Sequence, residues 1–262
     1  MSRFILLCLL LLPLLALPHS SSVRTVSSES SSPLQTWNPD SLAWSTVLIW
    51  TERSSGMTLT SGFLIDKAKR RVIAARHALE DLKPDGASSG MIEKFYVVWP
   101  SASPDGGVIK ESDHYFQQMR ARKTPYARLI AQDASRDLVL LEAGSDPPVQ
   151  SQALSLQLST VEPNTAVMGM AQPFTRSGLW HPFTATVLTS MTRRLTYTKT
   201  GQPVALYLAH AEQNVEFGYS GSPIVLPHSG KLVGMLLAAQ VNQPLSFALI
   251  SSQEIHRFLS IE

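Results

Sequence analysis

Short apolar segments separated by turns run through most of this chain, and they constrain its fold more than any other feature. Many are rich in β-branched or aromatic residues, as β-strands are. Long stretches with helical periodicity are missing, and proline (17 residues) outnumbers glycine (14 residues). The predicted strands cover residues 44–50, 57–65, 71–75, 94–99, 126–132, 138–142, 166–170, 183–189, 205–209, 222–226, 232–238 and 245–249. The pattern therefore predicts an all-β protein.

A proline-rich segment, GSDPPV at residues 144–149, divides these strands into two groups. We expect two antiparallel β-barrels packed side by side, one over residues 42–146 and one over 147–262. Residues 252–260 (SQEIHRFLS) place Ile255, Phe258 and Leu259 on one side of a helix. The sequence therefore predicts that a short C-terminal helix follows the last strand.

The N-terminus has the pattern of an export signal. Arg3 precedes an apolar run over residues 4–17, which is short for a membrane span. We predict a signal peptide at 1–22 and a flexible serine-rich leader at 23–41, and hence an exported (secreted or periplasmic) protein. An uncleaved N-terminal membrane anchor is the alternative. A net charge of +2 gives no reason to expect a nucleic acid partner.

The segment FGYSGSPIVL, residues 217–226, holds Ser220 in a glycine-rich turn. Backbone amides beside such a serine can point at one small volume and stabilise an oxyanion. Gly, Ser and Pro also dominate ordinary turns, so this segment alone does not establish a nucleophile.

Two further residues give the serine possible partners. A serine hydroxyl needs an adjacent base, usually a histidine that a carboxylate orients. His77 follows one predicted strand and Asp137 precedes another, so His77, Asp137 and Ser220 stand at strand ends or turns. Each also fits an ordinary surface or turn role, but the set predicts a catalytic triad. Ser222 occupies the last position of G-x-S-x-G, which argues against an α/β-hydrolase, and no H-E-x-x-H motif suggests a metal site.

Three motifs resemble those of trypsin-like serine proteases. They are AARHAL (74–79), ASRDLVLLEA (134–143) and EFGYSGSPIV (216–225), around the histidine, the aspartate and the serine. The ending LSFALISSQEIHRFL (245–259) is similar to the last strand and helix of the bacterial HtrA (DegP-type) proteases. The chain ends after the second predicted barrel, so we expect no PDZ domain.

The resemblance implies two packed six-stranded antiparallel β-barrels of the chymotrypsin type and hydrolysis of peptide bonds without a cofactor. His77 would be the general base, Asp137 would orient it, and Ser220 would attack the carbonyl carbon. The amides of Gly218 and Ser220 would form the oxyanion hole. Protein or peptide substrates are the implied partners.

The same resemblance implies a substrate-binding group, which comprises Asn214, Tyr219, Met235, Leu236 and Leu237. Because this group is largely apolar, we expect small or medium apolar side chains before the scissile bond. Tyr219 departs from the family, which usually has Asp or Asn before the nucleophile. Residues 82–126 form an insertion. These two departures keep an alternative open, a catalytically inactive double barrel that serves as a binding module.

Overall fold

The computed structural model describes residues 38–53, 56–82, 88–92, 94–121, 124–173, 178–193, 195, 203–240 and 243–261. The predicted signal peptide and residues 23–37 of the predicted leader lie outside these ranges. Within them, no helix is long and apolar enough to span a membrane.

Strands dominate the described chain. In order, its elements are α1 (Pro39–Ser45), β1 (Thr46–Arg53), β2 (Gly56–Asp66), β3 (Arg71–Ala75), a 3-10 turn (Arg76–Leu79), β4 (Glu80–Leu82), β5 (Ser88–Met91), β6 (Phe95–Val98), α2 (Ser112–Arg120), β7 (Arg128–Asp133), β8 (Leu138–Glu142), β9 (Ala166–Ala171), β10 (His181–Arg193), β11 (Val204–Ala211), β12 (Pro223–Val225), β13 (Leu232–Gln240), β14 (Gln243–Ser251) and α3 (Ser252–Leu259).

The strands form two six-stranded antiparallel sheets, which confirms the predicted fold class. The first sheet has the order β6-β1-β2-β3-β8-β7 and is a half-barrel. The amide of Ala127, just before β7, donates to the carbonyl of Phe95 in β6 at 3.0 Å and so connects its two edges. The second sheet is a closed barrel with the order β10-β11-β14-β13-β12-β9.

Both faces of the central strands are buried, because the sheets pack against each other as well as around their own interiors. In β1, Val47 and Ile49 lie in the core of the half-barrel, whereas Leu48 lies in a cluster that combines residues of both sheets. In β13, Leu236 faces the barrel interior, and Met235 faces the shared cluster. Neighbouring side chains of a strand point to opposite faces, so a strand buried on both sides is apolar throughout. This burial explains why the strands are apolar runs in the sequence.

Helix α1 replaces the start of the first predicted strand, so placing a strand at residues 44 and 45 was wrong. Asn38 caps the helix by accepting from the amide of Asp40 at 3.0 Å, and Pro39 occupies its first position. Both features favour a helix start. The apolar residues Leu42, Ala43 and Trp44 are buried by the helix rather than by a strand.

The region between residues 80 and 126 also differs from its prediction. Strands β4 and β5 pair as a separate two-stranded sheet, whereas the sequence predicted no strand between residues 75 and 94. Helix α2 follows in a segment that the sequence left unassigned. Its Tyr115 is fully buried, packs on Trp180 with ring centroids 4.5 Å apart, and donates to the carbonyl of Ile109 at 2.8 Å. The buried side chains of Tyr115 and Met119 stabilise α2 where helical periodicity is weak.

Candidate active site

His77 and Asp137 lie side by side at one end of the half-barrel. The register of β3 and β8 pairs Ala75 with Leu138, so the residues that follow β3 meet those that precede β8. The Asp137 carboxylate accepts from the His77 backbone amide at 2.8 Å and lies 2.6 Å from its Nδ1. Asp137 is 2% exposed, whereas the His77 side chain is 32% exposed. A buried carboxylate thus orients an imidazole that solvent can reach.

Asp137 has a left-handed backbone conformation, which glycine adopts freely and other residues adopt at a cost. Its φ is +57°, in the left-handed region, which costs a non-glycine residue on the order of 1–2 kcal/mol. The preceding turn stabilises this conformation, because the Asp133 carboxylate accepts from the amides of Ser135 and Arg136 at 2.8 and 3.0 Å. The Asp137 carbonyl accepts from the Arg76 amide at 3.0 Å.

Ser220 comes from the other sheet, and its loop is bonded to β2 of the half-barrel. The Ser220 carbonyl accepts from the amide of Ser61 at 2.9 Å and from the Thr60 hydroxyl at 2.5 Å. The Ser61 hydroxyl donates to the carbonyl of Gly218 at 2.7 Å. These bonds fix the loop beside β2. Strand β2 pairs with β3, and the chain passes from the end of β3 directly to His77.

The loop approaches the half-barrel so closely that Gly221 has to be glycine. A Cβ at this position would lie 1.9 Å from the Ser61 carbonyl oxygen and 3.4 Å from the amide nitrogen of Ala75. The φ of Gly221 is +84°, which glycine adopts without strain. The loop that holds Ser220 therefore lies beside Ala75, which precedes His77 by two positions.

The amides predicted to form an oxyanion hole are available. The amide of Tyr219 donates to the Glu216 carbonyl at 3.2 Å, and that of Gly221 donates to the Leu236 carbonyl at 2.8 Å. The amides of Gly218 and Ser220, in contrast, donate to no acceptor in the part of the chain that the structure describes. Two unpaired amides on one tight loop are suited to bind a developing negative charge.

The Ser220 hydroxyl itself donates to the carbonyl of Leu237 at 3.1 Å. Leu237 is the extra residue of a bulge in β13, where the pairing with β14 shifts between Leu236 and Ala238. Bulges often redirect groups beside functional sites. For His77 to accept the hydroxyl proton, the hydroxyl has to turn away from Leu237.

The predicted substrate-binding residues differ in their exposure to solvent. Asn214 is exposed, but Met235, Leu236 and Leu237 are buried in the clusters on the two faces of β13. Tyr219 is 0% exposed, because its ring lies in the barrel interior, 5.1 Å from that of Phe183. The contact of these residues with substrate stays a prediction.

Sequence reasoning missed Thr60 and Ser61, whose hydroxyls donate to the carbonyls of Ser220 and Gly218. A weak signal exists, since the small polar sequence TSG interrupts the apolar segment of β2. Its glycine, Gly62, lies in a close contact, since a Cβ there would lie 2.9 Å from the Ile73 carbonyl oxygen. No group of three His, Cys, Asp or Glu residues suited to a metal ion occurs among the described residues.

Comparison with known proteins gives matches to solved structures. No protein-family model matches the sequence, and no curated protein matches it. The active form of the Rv3671c protease from M. tuberculosis superposes with a TM-score of 0.61 at 15% identity, over 90% of this chain and 93% of that one.

Two other matches cover less of the solved structure. The HtrA-type protease AlgW with a tripeptide gives a TM-score of 0.58 at 14% identity, over 85% of this chain and 62% of that one. The serine endoprotease from Yersinia pestis gives 0.54 at 14% identity, over 86% of this chain and 66% of that one. The chain therefore has the fold of a trypsin-like serine protease domain of the HtrA type.

Proposed function

We propose that this chain is an exported serine endopeptidase that hydrolyses peptide bonds through a Ser220–His77–Asp137 triad. His77 accepts the proton of the Ser220 hydroxyl as Oγ attacks the substrate carbonyl. Asp137 holds the imidazole in orientation and stabilises its positive charge. The amides of Gly218 and Ser220 stabilise the oxyanion of the tetrahedral intermediate.

The collapse of that intermediate breaks the peptide bond. His77 returns the proton to the leaving amine, and an acyl group remains on Ser220 Oγ. Water, activated by His77, then releases the acyl group as a carboxylic acid and restores the serine. Every step uses side chains and amides of this chain, and none requires a cofactor.

The observation that carries the proposal is the pair of bonds between Asp137 and His77. A histidine that merely occupies the surface at a strand end does not require a buried carboxylate. His77, in contrast, has one that binds both its backbone amide and its Nδ1. The bonded nucleophile loop and the free amides of Gly218 and Ser220 support the same mechanism. So does the fold, since AlgW was solved with a tripeptide, which makes peptides the substrates to test first.

Replacing the nucleophile tests the proposal. We expect Ser220→Ala to abolish peptide hydrolysis and labelling by a fluorophosphonate, which reacts only with an activated serine. Ser222→Ala is the matched control. Its hydroxyl is buried without a partner in the described part of the chain and takes no part in the mechanism. Equal hydrolysis by wild type and Ser220→Ala, at unchanged thermal stability, would refute the triad.

One observation favours the alternative of an inactive binding module, namely the bond from the Ser220 hydroxyl to Leu237. The Tyr219 ring does not add to it, because this ring is buried inside the barrel rather than in a cleft. Fluorophosphonate labelling separates the two functions. Modification at Ser220 would exclude the module, and an unlabelled wild-type protein that still binds peptides would support it.

Export and domain boundaries are part of the proposal. Arg3 and the apolar run 4–17 support a signal peptide at 1–22, followed by a leader at 23–41. The two sheets support domains at 42–146 and 147–262. The mass of the mature N-terminus after secretion tests the signal peptide, because an uncleaved anchor would retain Met1. Peptide libraries test the expected preference for small or medium apolar side chains.

A further inference from the structure

An ion pair between the half-buried Arg136 and the buried Glu254 joins the Asp137 turn to the C-terminal helix. Arg136 Nε donates to Glu254 Oε2 at 2.8 Å, although the two residues are 118 positions apart. Arg136 lies between β7 and β8 of the half-barrel, whereas Glu254 lies in α3, which follows the last strand of the barrel. The pair therefore connects the two sheets at the site where His77 and Asp137 meet.

The burial of the Glu254 carboxylate is not explained by a role in capping its own helix. It is 3% exposed, and burial of a carboxylate costs several kcal/mol unless the charge is paired. Its position in the first turn of α3 would let it reach back to cap the helix. The cap is instead Ser251, whose hydroxyl accepts from the Glu254 amide. The Glu254 carboxylate accepts from Arg136, Arg257 and the Ala205 amide, so its charge is satisfied by partners outside the cap.

The guanidinium of Arg136 binds two carboxylates at once. While Nε binds Glu254, Nη1 donates to the Asp133 carboxylate at 2.5 Å, and that carboxylate also caps the turn before Asp137. Burial tends to lower the pKa of Arg136, but the Asp133 and Glu254 carboxylates outweigh it and raise this pKa above its ordinary value. The guanidinium is therefore a permanent cation in a fixed orientation.

The next residue along the chain is Asp137, whose left-handed backbone is unfavourable by itself. Such a conformation persists only where the surroundings determine it. Arg136 supplies part of that constraint, because its guanidinium binds Asp133 within the half-barrel and Glu254 in α3, the helix that follows the last strand of the other sheet.

We propose that Arg136 and Glu254 are positioning residues, which hold the Asp137–His77 pair in register with the Ser220 loop. This inference rests on the proposed function, since it assigns the C-terminal helix a part in aligning that same site. Neither residue touches the reacting atoms. Their effect passes through the geometry of Asp137.

The test replaces Arg136 and follows turnover, stability and the histidine hydrogen bond separately. We expect Arg136→Ala to lower kcat about 10- to 100-fold at unchanged KM, because small displacements of catalytic groups have effects of this size. Arg136→Lys keeps the charge but lacks the planar guanidinium that directs Nε to Glu254 and Nη1 to Asp133, so we expect a loss smaller than that of Arg136→Ala. This second variant keeps the test decisive if Arg136→Ala does not fold.

A spectroscopic signal tests the same inference without turnover. The proton in the 2.6 Å contact between His77 Nδ1 and Asp137 should give a far-downfield NMR resonance in the wild type. We expect this resonance to broaden or disappear in Arg136→Ala and to persist in Ser220→Ala. If the wild type neither hydrolyses peptides nor reacts with fluorophosphonate, the proposed function fails, and the resonance still decides the positioning role.

Arg70→Ala is the matched control. Arg70 pairs with Glu142 at 2.9 Å, at the opposite end of β8 from Asp137, and with Asp146 at 3.6 Å, and neither partner belongs to the site. We expect it to change stability but neither kcat nor the resonance. Glu254→Ala should reproduce Arg136→Ala, and the double variant should lose no more than either single one. Wild-type kcat and an unchanged resonance in folded Arg136→Ala, or additive losses in the double variant, would overturn the inference.

Discussion

The Ser61 hydroxyl stabilises the contact between the two sheets, and its removal should be costly. It is fully buried, donates to the Gly218 carbonyl at 2.7 Å and accepts from the Gln172 amide at 3.0 Å. In Ser61→Ala the carbonyl and the amide lose this partner inside the protein, where each unsatisfied group costs about 1–3 kcal/mol. Local relaxation recovers part of that energy. We therefore expect the free energy of unfolding to fall by about 2–4 kcal/mol.

The neighbouring residue provides the comparison. Thr60 binds the same loop at the Ser220 carbonyl, but that carbonyl also accepts from the Ser61 amide at 2.9 Å. Thr60→Val keeps the shape and leaves the carbonyl bonded, so it should cost below about 1 kcal/mol.

Equilibrium unfolding in urea measures both variants. The midpoint should fall much further for Ser61→Ala than for Thr60→Val, with the slope unchanged, since the surface exposed on unfolding is the same. Equal losses for the two variants, or a loss below about 0.5 kcal/mol for Ser61→Ala, would refute the reasoning from unsatisfied groups.

Two further predictions concern buried tyrosines. Tyr219→Ala should lower the free energy of unfolding by about 3–5 kcal/mol, because the Tyr219 ring packs on Phe183. Tyr219→Phe, in contrast, should leave the peptide KM unchanged. An altered KM would indicate that the Tyr219 hydroxyl contacts the substrate. Burial raises the pKa of Tyr115 from 10.0 to about 12. The folded protein keeps this proton where the unfolded chain releases it, so the stabilisation is complete below pH 10 and is lost as the pH rises to about 12. The difference in unfolding free energy between wild type and Tyr115→Phe should shrink over that range, and a constant difference would contradict the shift.

Local composition was sufficient to locate most strands. Segments such as LVLLE in β8 and RVIAA in β3 are apolar because both of their faces are buried, and strands with this property are recognisable without a partner. Helix α3 was predicted for a similar reason, since Ile255 and Phe258 share its buried side. Helix α2 was missed because its buried residues, Tyr115 and Met119, are too few to define a periodic pattern.

The candidate site was predictable only in part. His77 and Asp137 stand beside recognisable strands, and the structure places the Asp137 carboxylate 2.6 Å from His77 Nδ1, whereas the triad as a whole stays a prediction. The role of Tyr219 illustrates the limit. The resemblance implies a substrate contact for Tyr219, and this contact stays a prediction. The direction of its side chain depends on how the loop packs over the barrel, and that packing buries the ring.

The sequence by itself determined where most strands and the C-terminal helix lie along the chain, because these elements follow from local patterns of apolar residues. It also determined that the chain contains residue types that acyl transfer needs. Tertiary structure decided which distant residues meet. The bond from Ser61 to Gly218 spans 157 positions and that from Arg136 to Glu254 spans 118. No local pattern encodes such pairs, since they form only when the two sheets pack together. The position of the Ser220 loop against β2 and beside Ala75 is therefore a property of that packing.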